Sequence, residues 1–391
     1  MGIVLTVLTL ALIIGYVTAP FPCWFSVWRL ACSLFESNLP LSARRQQLAF
    51  LILQLVVTPL RTWLWHLDDW LFPGYRQVTI TPIFIIGEPR CGTTHLHRTL
   101  ASSGHFMAVQ HLHWRFPYIL LQRLFAPLGI TKWLGRRNYW PNTHVGELAS
   151  TMHPNRLVDW EEDGIFFEEN FCHHFFLFLR FPYPQLLAYI DDFQGLSLRI
   201  QENMFTAHQK AIQKAAFLKG KNEIFYLSKE VTSHNKIKSL LVLYPQSRFV
   251  VVVRESQAFM SSLIALMGAS SASKNEGYDP TGDSDWQRAF NARMVRDSNS
   301  LVNLCEDVIP RSRQFRVHYN DLQLNISSAV GQIHKWLDLP LKPSFQRYLH
   351  LLVTRQRHRD RGYAYPTYSF SGFDRYDKFV ASINSPLTDC S

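Results

Sequence analysis

The chain has 391 residues, of which 47% are hydrophobic, 14% aromatic and 18% charged, a composition that buries one large core or two modest ones and excludes a disordered chain. Its 18 Gly and 20 Pro are ordinary usage, and the absence of a Gly-X-Y, heptad or longer repeat excludes fibrous and solenoid architectures. Forty Lys and Arg against 30 Asp and Glu leave a formal charge of +10, which suits an anionic ligand, a nucleic acid or an anionic membrane without choosing among them.

From Met1 to Trp28 there is no charged side chain, and Ile3 to Ile14 is almost wholly aliphatic. Roughly 20 such residues cross a hydrocarbon core, so this run reads as a single-pass N-terminal membrane helix. A cleaved signal peptide is the alternative, weakened by the lack of Lys or Arg ahead of the run, although Val17-Thr18-Ala19 approaches a cleavage site. A second apolar run, Leu48 to Leu60, is broken by Gln54 and Pro59 and is too short to cross. With Trp63, Trp65 and Trp70 beside it, it is expected to form an interfacial or core helix. Arg29, Arg44 and Arg45 favour a cytoplasmic location for the bulk of the chain, whereas the sequon Asn325-Ile326-Ser327 fits a lumenal one. The side of the membrane stays open.

A buried strand is predicted at Val78 to Gly87, then a helix from Thr94 to Ser103 with Leu96 and Leu100 on one face and Gly104 as its stop. Further buried strands are expected at Glu223 to Ser228, Ser247 to Arg254 and Phe315 to Tyr319. Helical patterns separate them, which implies a parallel α/β sheet. Residues Pro117 to Ala216 read as an aromatic, helical insertion placed to cover a substrate. Ser270 to Asp285, rich in Ser, Gly and Asp, is expected to be an exposed loop or lid. The cysteines, at 23, 32, 91, 172, 305 and 390, make no CxxC pair, which argues against a Cys-rich metal site.

Two segments carry chemistry. In Pro82 to Leu96 a strand, a turn bounded by Gly87 and Gly92, and a helix start bring backbone amides and a positive helix end to one point, as a phosphate requires. Thr93 and Thr94 add hydroxyls and Arg90 a forked cation. Thr93 stands where a nucleotide P-loop carries Lys, so the metal-dependent ATP or GTP form fits badly. The second segment is the strand Ser247 to Arg254 with Ser262 on the helix beyond it. In a parallel sheet the strand C-termini line the ligand crevice, so Arg254 and Ser262 can converge on a second phosphate.

The first segment resembles the 5′-phosphosulfate loop of the sulfotransferases, P-x-x-x-x-G-x-P-R-S-G-T-T, with Cys91 in place of Ser. The second resembles their 3′-phosphate motif, R-[DN]-P-x-[DE]-x-x-x-S, with Glu255 and Ser256 replacing Asp-Pro and Ala258 replacing the acidic residue. Phe225 to His234 matches in part the K-S-P-x-H segment, His318 to Leu322 resembles the Y-x-D-L segment, and the likeness runs from about residue 80 to 375. It implies an α/β, three-layer, mainly parallel sheet of the P-loop type with a helical insertion. It also implies a metal-independent transfer of a sulfuryl group from PAPS (3′-phosphoadenosine 5′-phosphosulfate) to an acceptor hydroxyl, with PAP as product. The implied division is a membrane anchor at 1–28, a membrane-proximal helical segment at 29–77, a catalytic domain at 78–380 and a tail at 381–391.

On this reading Pro89, Arg90, Cys91, Gly92, Thr93, Thr94, Arg254 and Ser262 bind the donor, and Lys229 assists at the sulfuryl or leaving group. Met152-His153-Pro154 and Trp160-Glu161-Glu162-Asp163 resemble the family's H-P and P-E-E-D elements. Glu162, then Glu161, then His153 are the expected bases, in a pocket made by Phe166, Phe167, Phe171, Phe175 and Phe176, since burial tunes a carboxylate toward base chemistry. His111 and His113 are further options. His173-His174 is rejected as a metal pair because adjacent residues point apart. Arg355, Arg357, Arg359 and Arg361, followed by Tyr363, Tyr365 and Tyr368, form a basic segment that would close over the phosphates or face a membrane. The expected partners are PAPS, a hydroxyl-bearing acceptor and a membrane, and no nucleic acid. A kinase with a degenerate P-loop and an inactive membrane scaffold are the competing readings. The acceptor is open among sugar, sterol, lipid headgroup and phenol.

Overall fold

The computed structural model describes residues 2–19, 30–32, 34, 35, 37, 39–171, 180, 181, 198–231, 234–357 and 369–383. The expectations placed on Arg29, His173, His174, Phe175, Phe176, Arg359, Arg361, Tyr363, Tyr365 and Tyr368 lie outside these residues, as do the side chains of Arg355 and Arg357.

Two apolar helices, α1 (Gly2–Val17) and α2 (Leu41–Leu71), precede the sheet. After β1 (Thr79–Gly87) come α3 (Thr93–Ala101), β2 (Phe106–Met107) and the short helices α4 (His111–Arg115), α5 (Ile119–Phe125) and α6 (Ile130–Gly135). The insertion continues with α7 (His144–Met152), α8 (Gly164–Glu169) and α9 (Leu198–Leu218). The second half is β3 (Glu223–Val231), α10 (His234–Leu243), β4 (Arg248–Val253), α11 (Ser256–Lys274), α12 (Ser284–Asn303), β5 (Gln314–His318), α13 (Tyr319–Trp336), α14 (Pro343–Arg357) and α15 (Asp374–Ala381).

The five strands are all parallel in the order β2-β3-β1-β4-β5. Ile83 to Ile86 and Phe249 to Val253 are buried, as continuous apolar runs must be where helices cover both faces of a parallel sheet. From β1 the chain runs to the edge strand β2, returns to β3 and then crosses β1 to β4, so the crevice opens at the C-terminal end of β1, where strand order reverses. β3 is longer than predicted and carries Lys229 and Glu230 inside the strand, each paired across to β1. β2 has only two residues, too few for a periodicity to reveal. Ser270 to Asn275 is a correction: all but the half-buried Ser273 are buried, and up to Lys274 they are the last turns of α11 rather than an exposed loop. Ser and Ala there are small enough to continue a packed helix, so composition misreads them.

The N-terminal helices also differ from expectation. The helical part of the first run is 16 residues, about 24 Å, short of a hydrocarbon core of roughly 30 Å. α2 instead runs 31 residues straight through Pro59, and among the described helices it is the one long and apolar enough to cross a membrane. A proline cannot donate to the carbonyl four residues back; here the Tyr16 hydroxyl donates to that carbonyl, Leu55 O, at 2.8 Å. α1 reaches it because Gly15 has no side chain: a Cβ there would lie 2.8 Å from the Pro59 Cβ.

Gly87, where β1 meets the turn, has the same kind of constraint, since a Cβ would stand 2.3 Å from the Val252 carbonyl oxygen of β4. Gly87→Ala is therefore expected to force the two central strands apart and lower the unfolding free energy by about 1–3 kcal/mol, read as a lower denaturant midpoint.

Candidate active site

Beyond Gly87 the chain turns through Arg90, in the left-handed region at φ 68°, and Gly92 at φ 87° to enter α3. The turn and the first residues of α3 (Pro89, Arg90, Gly92, Thr93 and Thr94) line a cavity of about 420 Å³. Arg254, just after β4, lines the same cavity. Its Nη1 donates to the Arg90 carbonyl at 2.9 Å and its guanidinium lies 4.1 Å over the Tyr319 ring. In return Arg90 Nε donates to Ser262 Oγ at 3.0 Å. The two segments singled out in the sequence thus meet at one end of one cavity.

Cys91 stands apart from its neighbours. It is fully buried beside the Tyr376 hydroxyl, and that burial pushes its thiol well above the usual range. Its side chain does not line the cavity. The other departure, Ser256, donates its backbone N–H to Asp377 Oδ1 at 3.0 Å and its hydroxyl to Asp377 Oδ2 at 2.6 Å. Proline, usual there, has no N–H to give. Glu255 pairs with His318 at 3.3 Å. Ser256 thereby binds the start of α11 to α15, and Glu255 ties the same turn to the end of β5.

The opposite wall is built around Lys229, which is 2% exposed. Its ammonium donates to Thr94 Oγ1 and to Glu161 Oε1, each at 2.8 Å. Glu161 Oε2 accepts from Arg98 Nη2 at 3.1 Å and lies 3.7 Å from His153 Nε2. Arg98 further donates to the carbonyls of Trp160 and Pro154, so α3 holds both acceptor-side segments. Burial works to raise the Glu161 carboxyl, but Lys229, and after it His153 and Arg98, outweigh this and hold it well below the usual range. Glu161 is 1% exposed and lies behind the cavity wall, its oxygens turned to these cations. Asp163 is equally engaged, accepting from the Tyr226 hydroxyl at 2.7 Å and sitting 2.9 Å from His208 Nε2.

Between these two pinned neighbours Glu162 lines the cavity, 17% exposed and 3.8 Å from Lys229. Its Oε2 has no hydrogen-bond partner among the described residues. Burial pushes its carboxyl up to about 7 despite Lys229, with Glu161 adding to the rise. His153 also lines the cavity, and burial lowers its basicity. His111 is committed elsewhere: its ring bridges Asn155 and Arg115, and like His113 it is lowered to about 4 by burial and lies off the cavity. Phe166, Phe167 and Phe171 are buried and pack behind the carboxylate segment instead of lining the cavity. The wall past Glu162 is formed by Trp140, Met152, Ile165, Leu263, Leu266 and Met267. Asp163, His208 and Glu230 offer donor atoms within 4.8 Å of one another, yet the cationic partner of Glu230 is Lys236 at 3.1 Å.

Arg98 and Tyr319 carry no signal in the two motifs. Arg98 could have been found, being one helical turn beyond Thr94 on the loop helix, and Tyr319 follows a strand end as Arg254 does.

Residues 82–343 match the family described as the sulfotransferase family. In fold the chain is similar to a sulfotransferase from Mycobacterium tuberculosis H37Rv, with a TM-score of 0.62 and 15% identity over 91% of each chain. It is also similar to one from Mycobacterium avium, with a TM-score of 0.68 and 15% identity over 90% of this chain and 88% of that one. At such identity the likeness is one of fold. No curated protein matches the chain in sequence.

Glu161→Gln is expected to leave the buried Lys229 without its hydrogen-bonded anion, costing about 3–5 kcal/mol of stability in denaturant titration. Glu161, held low when folded, stabilises above its usual value near 4.5, and this is lost as the pH falls through its lower folded value. Glu162 works in the opposite sense: its contribution is full below about 4.5 and lost as the pH rises through about 7. Glu162→Gln is therefore expected to be more stable than the parent at pH 8, with the difference vanishing below pH 4.5 in paired thermal melts.

Proposed function

The chain belongs to the sulfotransferase family, and on that premise we propose that it transfers the sulfuryl group of PAPS to an acceptor hydroxyl, with Glu162 as the base. The observation that carries this reading is the placement of a raised carboxyl, whose Oε2 has no hydrogen-bond partner among the described residues, in the same cavity as Arg90, Thr94 and Arg254. Arg254, with Ser262, holds the ribose 3′-phosphate. Arg90, the turn amides and the N-terminus of α3 hold the phosphosulfate end, where helix-terminal N–H groups favour an anion. Lys229 and Thr94, already hydrogen-bonded together, stand beside the sulfuryl group and meet the charge that develops as it loosens from its phosphate.

Glu162 accepts the hydroxyl proton as the acceptor oxygen bonds to sulfur. The sulfur–oxygen bond to the phosphate breaks in line, and PAP leaves with that electron pair. The apolar wall of Trp140, Met152, Ile165, Leu263 and Met267 suits an acceptor with an apolar flank. A kinase is not favoured, since Thr93 replaces the phosphate-loop lysine. A dead scaffold is not favoured either, because Cys91 and Ser256 are integrated contacts that leave Arg254 and Ser262 in place. The N-terminal helices attach the enzyme to a membrane.

Calorimetric titration with PAP is expected to show binding that Arg254→Ala weakens about 10- to 100-fold, the worth of a charge-assisted hydrogen bond; no binding by the parent chain would end the reading. Glu162→Gln is expected to keep PAP affinity while kcat falls about 10²- to 10⁴-fold. In the parent the rate should drop as the pH falls below about 7, because the carboxylate must be ionised to accept a proton, and the variant should lose that limb. An unchanged kcat in the variant assigns the base elsewhere.

A further inference from the structure

α2 is tied to the catalytic domain at both ends. Near its start Gln47 Nε2 donates to the Lys274 carbonyl at 2.8 Å and to Asn275 Oδ1 at 2.7 Å, at the end of α11. Near its finish Asp68 accepts from the Ile119 and Leu120 amides at 2.7 and 2.9 Å, capping α5. Twenty-one residues of helix separate Gln47 from Asp68, about 32 Å, which is the thickness of a bilayer's hydrocarbon core. Both contacts are to one folded unit, so the two ends cannot stand on opposite sides of a membrane.

The surface α2 turns away from the domain is nonetheless apolar: Ile52, Leu53, Val56 and Leu60 are each more than half exposed. α1, crossing it at Gly15, exposes Leu5, Leu8, Leu12 and Ile13 to a similar degree, and a helix apolar all round belongs in a core or a membrane. Further exposed apolar groups lie on α5, whose first amides Asp68 holds, and on α6. There Leu124, Leu128 and Trp133 are 58, 72 and 57% exposed. Lys132, Arg136 and Arg137 are exposed among them, and the Arg137 guanidinium lies 4.2 Å over the Trp133 ring. Apolar side chains interleaved with Trp and basic residues match the interfacial layer of an anionic bilayer.

We propose that the chain lies flat on one leaflet of an anionic bilayer, with α1 inserted and the outer face of α2 and the α5–α6 turn in the interfacial layer, and does not cross by a single span. The charge of the patch selects this occupant, since an apolar protein partner would leave Lys132 and Arg136 unmatched. The arrangement goes beyond the transfer chemistry and stands independently of it.

The test is co-sedimentation of the full chain with phosphatidylcholine vesicles with and without phosphatidylglycerol. Binding is expected to favour the anionic vesicles and to weaken as salt rises. Lys132→Glu with Arg136→Glu should cut partitioning at least about 10-fold, from about 1 kcal/mol per basic residue, and Leu128→Ser with Trp133→Ser should do the same in either lipid. PAP titration should be unchanged in both variants, so a failure here leaves the donor reading intact, and loss of PAP binding in the parent leaves this one intact. Ser42→Cys and Trp70→Cys, near the two ends of α2, should react with a membrane-impermeant maleimide from the same side of sealed vesicles, above the background of the parent chain. Labelling from opposite sides, partitioning indifferent to both double variants, or a stable dimer in solution that the Leu128→Ser with Trp133→Ser variant dissolves would each overturn the proposal.

Discussion

One buried ammonium organises the site. Lys229 is shared between Thr94 at the start of α3 and Glu161 on the opposite segment, and Arg98 returns from α3 to the same carboxylate. Charges taken out of water cost several kcal/mol each, and their mutual attraction offsets this only when every partner is present in good geometry. The cluster is therefore stable as a set and not in parts. That property makes it a spacer of fixed length: the distance from the phosphate turn to the Glu-Glu-Asp segment is set by two salt bridges and a hydroxyl, anchored through β3 and the helix that leaves β1.

Glu162 owes its position to the immobility of its neighbours. Glu161 is pinned from one side and Asp163 from the other by Tyr226 and His208, so the residue between them is aimed by its backbone and needs no bond of its own. Its raised affinity for a proton arises from burial beside a second carboxylate, an arrangement unfavourable to the fold and useful to a base. The lowered and the raised carboxyls are consecutive in the chain, and only their surroundings separate them.

That contrast marks how far local pattern carries. The strand, the turn around Arg90 and the strand-terminal Arg254 are legible in the sequence because their signals are local: glycines where the backbone approaches closely, an apolar run ending in a charge, and a fixed order of motifs. Which of Glu161 and Glu162 is free is not legible. The partners of Glu161 lie 63 residues before it, at Arg98, and 68 after, at Lys229, and no local pattern distinguishes two adjacent glutamates. The misreadings have similar causes. Pro59 resembles the end of a helix because the hydroxyl that replaces its missing donor comes from Tyr16, in another element. Ser270 to Lys274 resembles a loop because small polar residues serve a tightly packed helix as well as a turn.

The contacts of α15 carry a consequence for how the enzyme comes into being. Tyr376 rests on the thiol in the phosphate turn, and Asp377 holds the first residue of α11; the turn and the helix are made nearly 300 and more than 100 residues earlier. During synthesis the sheet, the turn around Arg90 and the start of α11 leave the ribosome well ahead of the residues that brace them. A nascent chain thus has the turn and the start of α11 before it has the helix that braces both.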